Sequence, residues 1–240
     1  MTHIHLPPPE EKPRYVQRMF ARISDRYDLM NRVMTGGQDR VWRRMVVELC
    51  ELPSGGRILD VATGTGDIVY EAMRRHPHVR PVGVDLTLEM MLAGRHKFNG
   101  RSIPFVQGDA LHLPFADNSF DAACSGFMMR NVVDIAQAFA EQRRVVRPGG
   151  KVVCLEITRP RRGLWRPLFH LYFHRIVPLL GAIIGRERAA YTYLPHSTLT
   201  FPDADTLADI MRQVGLHDVY YRTVMFGTIA IHVGRVGEDR

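Results

Sequence analysis

Cysteine is scarce in this chain. Cys50, Cys124 and Cys154 stand far apart in apolar surroundings, which excludes a disulfide framework and a cysteine-based metal site. They read as small buried hydrophobes in a reducing compartment. Long apolar runs are missing too. The nearest to the roughly 18 residues that a spanning helix needs is Ile176 to Ile184, and Pro178 and Gly181 interrupt it. The start, Met1 to Pro9, has neither a basic segment nor an apolar one behind it, so nothing marks it for export. Residues 1–13 are expected to be a flexible tail and the protein to be cytoplasmic. His170 and His174 have the spacing of helical metal ligands, but no Glu follows the first and no third ligand is evident, so no metal is expected. The net charge of +7 predicts attraction to anionic surfaces. It does not point to nucleic acid, because no basic tract is interleaved with stacking aromatics and no recognition module is present.

What is present suits one well-packed domain: 240 residues, 45% hydrophobic and 24% charged. Tyr15, Met19, Phe20, Ile23, Tyr27, Met30 and Met34 recur at spacings of three and four, which predicts a helix over residues 14–34 behind Pro13. Val41, Trp42, Met45, Val46 and Leu49 predict a second over 38–52. From Arg57 onward short apolar runs alternate with helical stretches. Strands are predicted at 57–59, 81–85, 103–106, 120–124 and 151–157, with a helix from Val133 to Val146 stopped by Pro148-Gly149-Gly150. Such alternation argues for a parallel sheet covered on both faces. A helix over 205–214 and two antiparallel strands around Phe226-Gly227 close the chain.

The densest information lies in Asp60-Val-Ala-Thr-Gly-Thr-Gly-Asp67, at a strand-to-helix turn. Gly64 and Gly66 lack the Cβ atoms that would hold a ligand off the backbone, and the following helix offers free N–H groups. Asp60 and Asp67 bracket this cradle with negative charge, which suits hydroxyls, an ammonium or a sulfonium better than a pyrophosphate. Val69 stands where a dinucleotide fingerprint has its third glycine, which counts against NAD. Asp85 ends the second strand, placed for a ribose, and Asp109 ends the third beside Ala110, Leu113, Pro114 and Phe115, where an adenine would lie. Each aspartate alone could be a cap or turn residue; Asp60, Asp85 and Asp109 together point to a ligand crevice.

These stretches, with Pro148-Gly149-Gly150, resemble class I S-adenosylmethionine-dependent methyltransferases. Further stretches resemble the ubiquinone/menaquinone C-methyltransferase family: Tyr27 to Asn31 with Trp42, Phe127 to Val132 with Arg130-Asn131, Arg144 to Gly150 with Leu155-Glu156, and Tyr191-Thr-Tyr193-Leu194 with Ser197 and Phe201-Pro202. The resemblance runs from about Tyr15 to Gly234. It implies an α/β Rossmann-like, seven-stranded, mostly parallel sheet. Within a single domain over 14–240 it divides the chain into a helical lid (14–52), a cofactor-binding core (57–157), an insertion facing substrate or membrane (158–200) and a closing helix and strands (201–234). It implies S-adenosyl-L-methionine held by Asp60, Thr63, Gly64, Thr65, Gly66, Asp85, Leu86, Asp109, Ala110 and Gly126. The implied reaction is methylation of a ring carbon of a prenylated quinol, demethylmenaquinol foremost, with another small aromatic or lipid acceptor as the alternative. Departures fall on the substrate side: Thr35 replaces a usual Ser, Asp39 a usual His, and Met128-Met129 a usual Gly-Leu.

Methyl transfer is an in-line displacement that asks the protein to align donor and acceptor and to exclude water. Arg130 is expected to place a positive charge beside the acceptor oxygen or orient a water, or else to be a surface ion-pair partner. Asn131 would hold the loop or the hydroxyl. Tyr27, Asp28 and Asn31 either close over the acceptor or belong to a helix packed on the sheet. The aromatic, basic stretch from Leu164 to Tyr193, with Arg159, Arg161, Arg162, Arg166, Arg175, Arg186 and Arg188, suits either peripheral contact with an anionic membrane or a cap over the site. A homodimer is compatible with all of this.

Overall fold

The computed structural model describes residues 7–159, 171–183 and 187–237. Strands form where β-branched and small apolar residues are bounded by turn residues: β1 (Arg57–Val61), β2 (Arg80–Asp85), β3 (Phe105–Gln107), β4 (Phe120–Gly126), β5 (Val146–Ile157), β6 (Leu216–Val224) and β7 (Ile229–Val236). They make one seven-stranded sheet in the order β3-β2-β1-β4-β5-β7-β6. The first five pair in parallel, and β7 runs antiparallel to both β5 and β6. The strand order reverses between β1 and β4. Their carboxyl ends therefore diverge into a crevice, the place where open α/β sheets bind ligands.

Side chains of each strand alternate between two apolar layers. Leu59, Val61, Ala123, Val152 and Cys154 pack with Phe139 of α5 (Ile135–Val145) and with Leu207 and Met211 of α8 (Ala204–Gln213). Ile58, Ala122, Cys124, Val153 and Leu155 pack with Trp42, Val46 and Val47 of α2 (Asp39–Leu49) and with Ile68 and Ala72 of α3 (Asp67–Arg75). All three cysteines are buried and free. Helix α4 (Leu88–Gly94) follows β2, and α6 (Val177–Ile183), entered through a π turn at Tyr172–Ile176, precedes α7 (Arg188–Thr200).

Three expectations shift. Helix α1 (Lys12–Thr35) takes in Lys12 and Pro13 from the expected tail, and it does not lie on the sheet. Its apolar stripe, Met19, Ile23 and Met30, packs instead on Val177, Ala190, Tyr191 and Tyr193 of α6 and α7. Pro148-Gly149-Gly150 does not stop a helix. α5 ends at Val145, and these residues bulge from the start of β5, where pairing jumps from Phe120↔Val146 to Ala122↔Lys151. Gly150 is required there, since a Cβ would lie 2.5 Å from the Asp121 carbonyl oxygen. α5 and α8 begin where Asp134 and Asp203 accept from the N–H groups of Gln137 and Thr206, each at 2.9 Å.

Helix α4 touches the turn after β1 through Gly94, whose Cβ would stand 2.0 Å from the Thr65 carbonyl oxygen. Because backbone rather than a flexible side chain must yield, Gly94→Ala is expected to lower unfolding stability by about 2–3 kcal/mol, read from urea denaturation. An unchanged midpoint would show that the turn gives way freely.

Candidate active site

The turn after β1 is held by backbone geometry. Ala62 (φ 56°) and Gly64 (φ 57°) take the left-handed conformation, and the Gly64 N–H donates to Asp85 Oδ2 at 2.8 Å. Asp85 Oδ1 accepts from the Thr87 N–H, and burial raises the carboxyl's pKa above the usual range. Its remaining lone pairs face a crevice of about 120 Å³ lined by Gly64, Asp85, Leu86, Asp109, Ala110 and Gly126, with Leu111, Met128 and Val132. Six of the ten expected cofactor contacts thus meet in one place.

The other four are elsewhere. Asp60 is turned into the core, where it accepts from Thr63 Oγ1 at 2.7 Å and lies against the Cys124 thiol. Burial pushes its pKa up to about 7, with Thr63 and Arg43 pulling the other way. Thr63 is spent on that bond. Gly66 does not open the crevice: a Cβ there would meet Phe98 Cζ at 2.8 Å, so its bareness serves aromatic packing. Thr65 Oγ1 donates to Asp28 Oδ1 at 2.6 Å and accepts from Lys97 Nζ at 2.7 Å. Lys97 also pairs with Asp28 Oδ2 at 2.6 Å and Asp67 Oδ1 at 2.5 Å. Asp67 therefore puts no free charge on the cradle. Burial would raise its pKa, but Arg43, Lys97 and Arg32 outweigh that and hold it below the usual range. The buried Asp39, one of the departures on the substrate side, joins Arg32 and Arg43 to the same cluster.

This cluster ties α1 to the turn, and α1 in turn roofs the crevice. Gln17 Nε2 donates to the Leu86 carbonyl at 2.9 Å, and Pro13, Val16, Phe20 and Tyr27 line the crevice from above. Beyond it lies a second cavity of about 420 Å³ walled by aromatic and apolar side chains of α1, α2, α7 and the β6–β7 hairpin. Phe20, Tyr27, Phe127 and Asn131 line both cavities. Phe127 (φ 59°) holds a left-handed backbone at the end of β4, a strained conformation of the kind that clusters at functional sites.

Arg130 lines the larger cavity, but it is neither a free cation nor a surface residue. Its Nη1 donates to Glu156 Oε1 at 2.6 Å and to the Phe127 carbonyl at 2.8 Å. Asn131 Nδ2 donates to the same carbonyl at 3.1 Å. Lys12 Nζ clamps the loop by donating to the carbonyls of Arg130 and Val132. Arg130 Nε, Asn131 Oδ1 and the hydroxyls of Tyr191 and Tyr193 are buried and have no hydrogen-bond partner among the described residues. Burial raises the Tyr27 phenol above its ordinary range, while Arg43 and Asn31 counter it. Sequence reasoning missed Gln17, Lys97, Arg43 and Glu156 as parts of the site, because their partners are distant in the chain. His170 lies outside the described residues. Among those described, no group of three His, Cys, Asp or Glu side chains could hold a metal ion.

The pattern of the ubiE/COQ5 methyltransferase family matches residues 9–236. The chain belongs to this family. A relative from Roseiflexus castenholzii, named demethylmenaquinone methyltransferase, is 54% identical over 229 residues, 95% of this chain and 96% of that protein. Another, from Desulfotalea psychrophila, named ubiquinone/menaquinone biosynthesis C-methyltransferase UbiE, is 45% identical over 219 residues, 91% and 89% of the two chains. Two solved structures share the fold at lower identity. The cyclase SpnF has a TM-score of 0.68 at 17% identity, covering 93% of this chain and 96% of its own. Phosphoethanolamine N-methyltransferase 2 of Haemonchus contortus, in complex with S-adenosyl-L-methionine, has a TM-score of 0.60 at 14% identity, covering 82% and 52%.

Asp60 allows a measurement of how tightly the turn is enclosed. Its folded pKa of about 7 stands above the reference of 3.8. Below the lower value both states carry the proton; between the two only the folded state does. This group's contribution therefore falls as pH rises through that window and levels off above it. Relative to Asp60→Asn, the wild type is expected to lose stability between pH 4 and pH 7, by at most about 1.4 kcal/mol per unit. Parallel stability curves for the two proteins would contradict this.

Proposed function

We propose that the protein transfers the methyl group of S-adenosyl-L-methionine to a ring carbon of a prenylated demethylquinol, demethylmenaquinol foremost. The carrying observation is the pair of cavities separated by a wall of four side chains, Phe20, Tyr27, Phe127 and Asn131. The smaller has the groups that fit the donor: Asp85 for ribose hydroxyls, Asp109 beside Ala110 and Leu111 for an adenine, and the bare Gly64 backbone. When bound, the sulfonium supplies a methyl group that is already activated. The larger cavity is of the size and apolar character that bind ring systems.

The chain's own task is alignment and protection. Phe20 and Tyr27 exclude water where the two compartments meet, and Phe127, fixed by its backbone, presses the acceptor toward the donor side. A quinol carbon becomes nucleophilic as its hydroxyl loses a proton. Arg130 acts as a fixed donor whose spare Nε can face that oxygen, with Asn131 Oδ1 as the complementary acceptor. Glu156 holds the guanidinium in place.

Peripheral membrane contact belongs to the same reading. Among the described residues no helix is long and apolar enough to cross a bilayer. Leu171, Leu179 and Phe226 are nonetheless 56%, 58% and 67% exposed, and Met225 and Phe226 line the larger cavity as well. Exposed apolar side chains on the helical stretch that carries the exposed Arg175 suit an anionic lipid surface from which a prenylated quinol is drawn. Arg161, Arg162, Arg166 and Arg186 lie outside the described residues.

Methylation of a short-tailed demethylmenaquinol, followed by mass spectrometry of the product, tests the activity. A protein that binds the donor yet leaves this quinol unmethylated speaks for a different acceptor. Arg130→Lys is expected to lower kcat at least about tenfold while the donor Kd stays within twofold, because the donors of an ammonium all radiate from one atom, so a lysine that reaches Glu156 and the Phe127 carbonyl cannot also place a donor at the separate position of Nε. The protein is also expected to sediment with anionic vesicles at low salt and to stay in solution after Phe226→Glu. Full retention of the wild type in the supernatant removes the membrane contact.

A further inference from the structure

The larger cavity holds a feature that methyl transfer by itself does not need. Tyr191 and Tyr193 lie on α7, buried to 4% and 3% exposure, and both line the cavity. Neither hydroxyl has a hydrogen-bond partner among the described residues. A buried, unsatisfied hydroxyl costs about 1–3 kcal/mol, so two on one helix facing one apolar cavity call for a ligand that satisfies them.

The two approach the cavity from different sides, since helical residues two apart do not face each other. Tyr191 lies near the Tyr27 phenol. Tyr193 lies near Arg130 and Glu156 and stacks at a tilt against Tyr15, ring centroids 5.6 Å apart. Burial raises both phenols, Tyr193 to about 12. At neutral pH both are therefore protonated donors and not bases. Tyr191 thus belongs with Tyr27 in the lining and Tyr193 with Arg130, with Asn31 and Asn131 as further polar groups of the same cavity.

We propose that Tyr191 and Tyr193 are specificity-determining residues that each donate a hydrogen bond to one of the two oxygens of a 1,4-dioxygenated aromatic acceptor. This rests on the acceptor being a quinol, as above, and adds what selects it: the simultaneous presence of two para oxygens. An acceptor with one hydroxyl leaves one tyrosine unsatisfied, and a site built to bond a substrate oxygen rejects the analogue lacking it more strongly than an apolar pocket rejects a missing methylene.

The test uses Tyr191→Phe and Tyr193→Phe, which delete one oxygen each and keep the ring packing. Steady-state kinetics would be run with a short-tailed 1,4-naphthoquinol and with the 1-naphthol bearing the same tail. Each variant is expected to lose about ten- to hundredfold in kcat/KM for the quinol, mostly through KM. Each should also narrow the preference for quinol over naphthol, with donor Kd unchanged and thermal midpoint unchanged or higher. Quinol turnover by the wild type, with kcat/KM of both variants within twofold of it, overturns the tyrosine assignment and leaves the quinol reading standing. Donor binding without wild-type turnover of any 1,4-quinol overturns both. A fall in kcat/KM that is equal for quinol and naphthol overturns the recognition of two oxygens in favour of a packing role.

Discussion

The site depends on one ammonium group. Lys97 Nζ, at the end of the short helical turn after α4, is shared by Asp28 of α1, Asp67 of α3 and the hydroxyl of Thr65 between them. A buried charge taken from water is tolerable only with several close partners, and removing one strands the rest. The arrangement is therefore cooperative: the glycine turn, the start of α3 and the middle of α1 are correctly placed together or not at all. Arg32, Arg43 and Asp39 extend the cluster toward the larger cavity, so the two cavities share one electrostatic anchor.

How much of this could be read from the chain alone follows from the range of each interaction. β1, β2 and β4, the Gly64 turn, Asp85 and Asp109 were legible because strand, turn and carboxylate are neighbours in sequence, and the doubly wound topology converges their ends. The seven-stranded sheet followed from the family resemblance and is what the structure has. Sequence alone puts Asp60, Gly66 and Asp67 in the cradle, whereas Cys124, Phe98 and Arg43 draw them away. Those partners lie tens of residues off, and no local pattern marks them. The amphipathic stripe of α1 was correctly recognised, but periodicity says only that a face is buried, not against what. The Tyr27 to Asn31 segment thus sits on the insertion helices and not on the sheet. Pro148-Gly149-Gly150 looked like a helix stop because the same residues that end helices also permit bulges.

Fold and chemistry separate cleanly in this protein. A cyclase and an N-methyltransferase share the architecture at 17% and 14% identity, so the sheet and crevice do not by themselves choose a reaction. Beside the sheet, the larger cavity is walled by α1, the Phe127–Asn131 loop and α7. The charge of Arg130 is balanced by Glu156 at the end of β5, so the loop presents a directional donor instead of a diffuse positive field, in a cavity otherwise made of rings and methyls.

Helix α1 supplies part of the lining of both cavities, through Phe20 and Tyr27 in common. A wall common to two compartments makes the occupants of those compartments effectors of one another. A ligand that seats this helix from one compartment leaves less of that cost to the ligand in the other, and any such coupling is reciprocal. The two substrates of a bimolecular reaction then meet as linked ligands of a single surface, with no relay between distant sites.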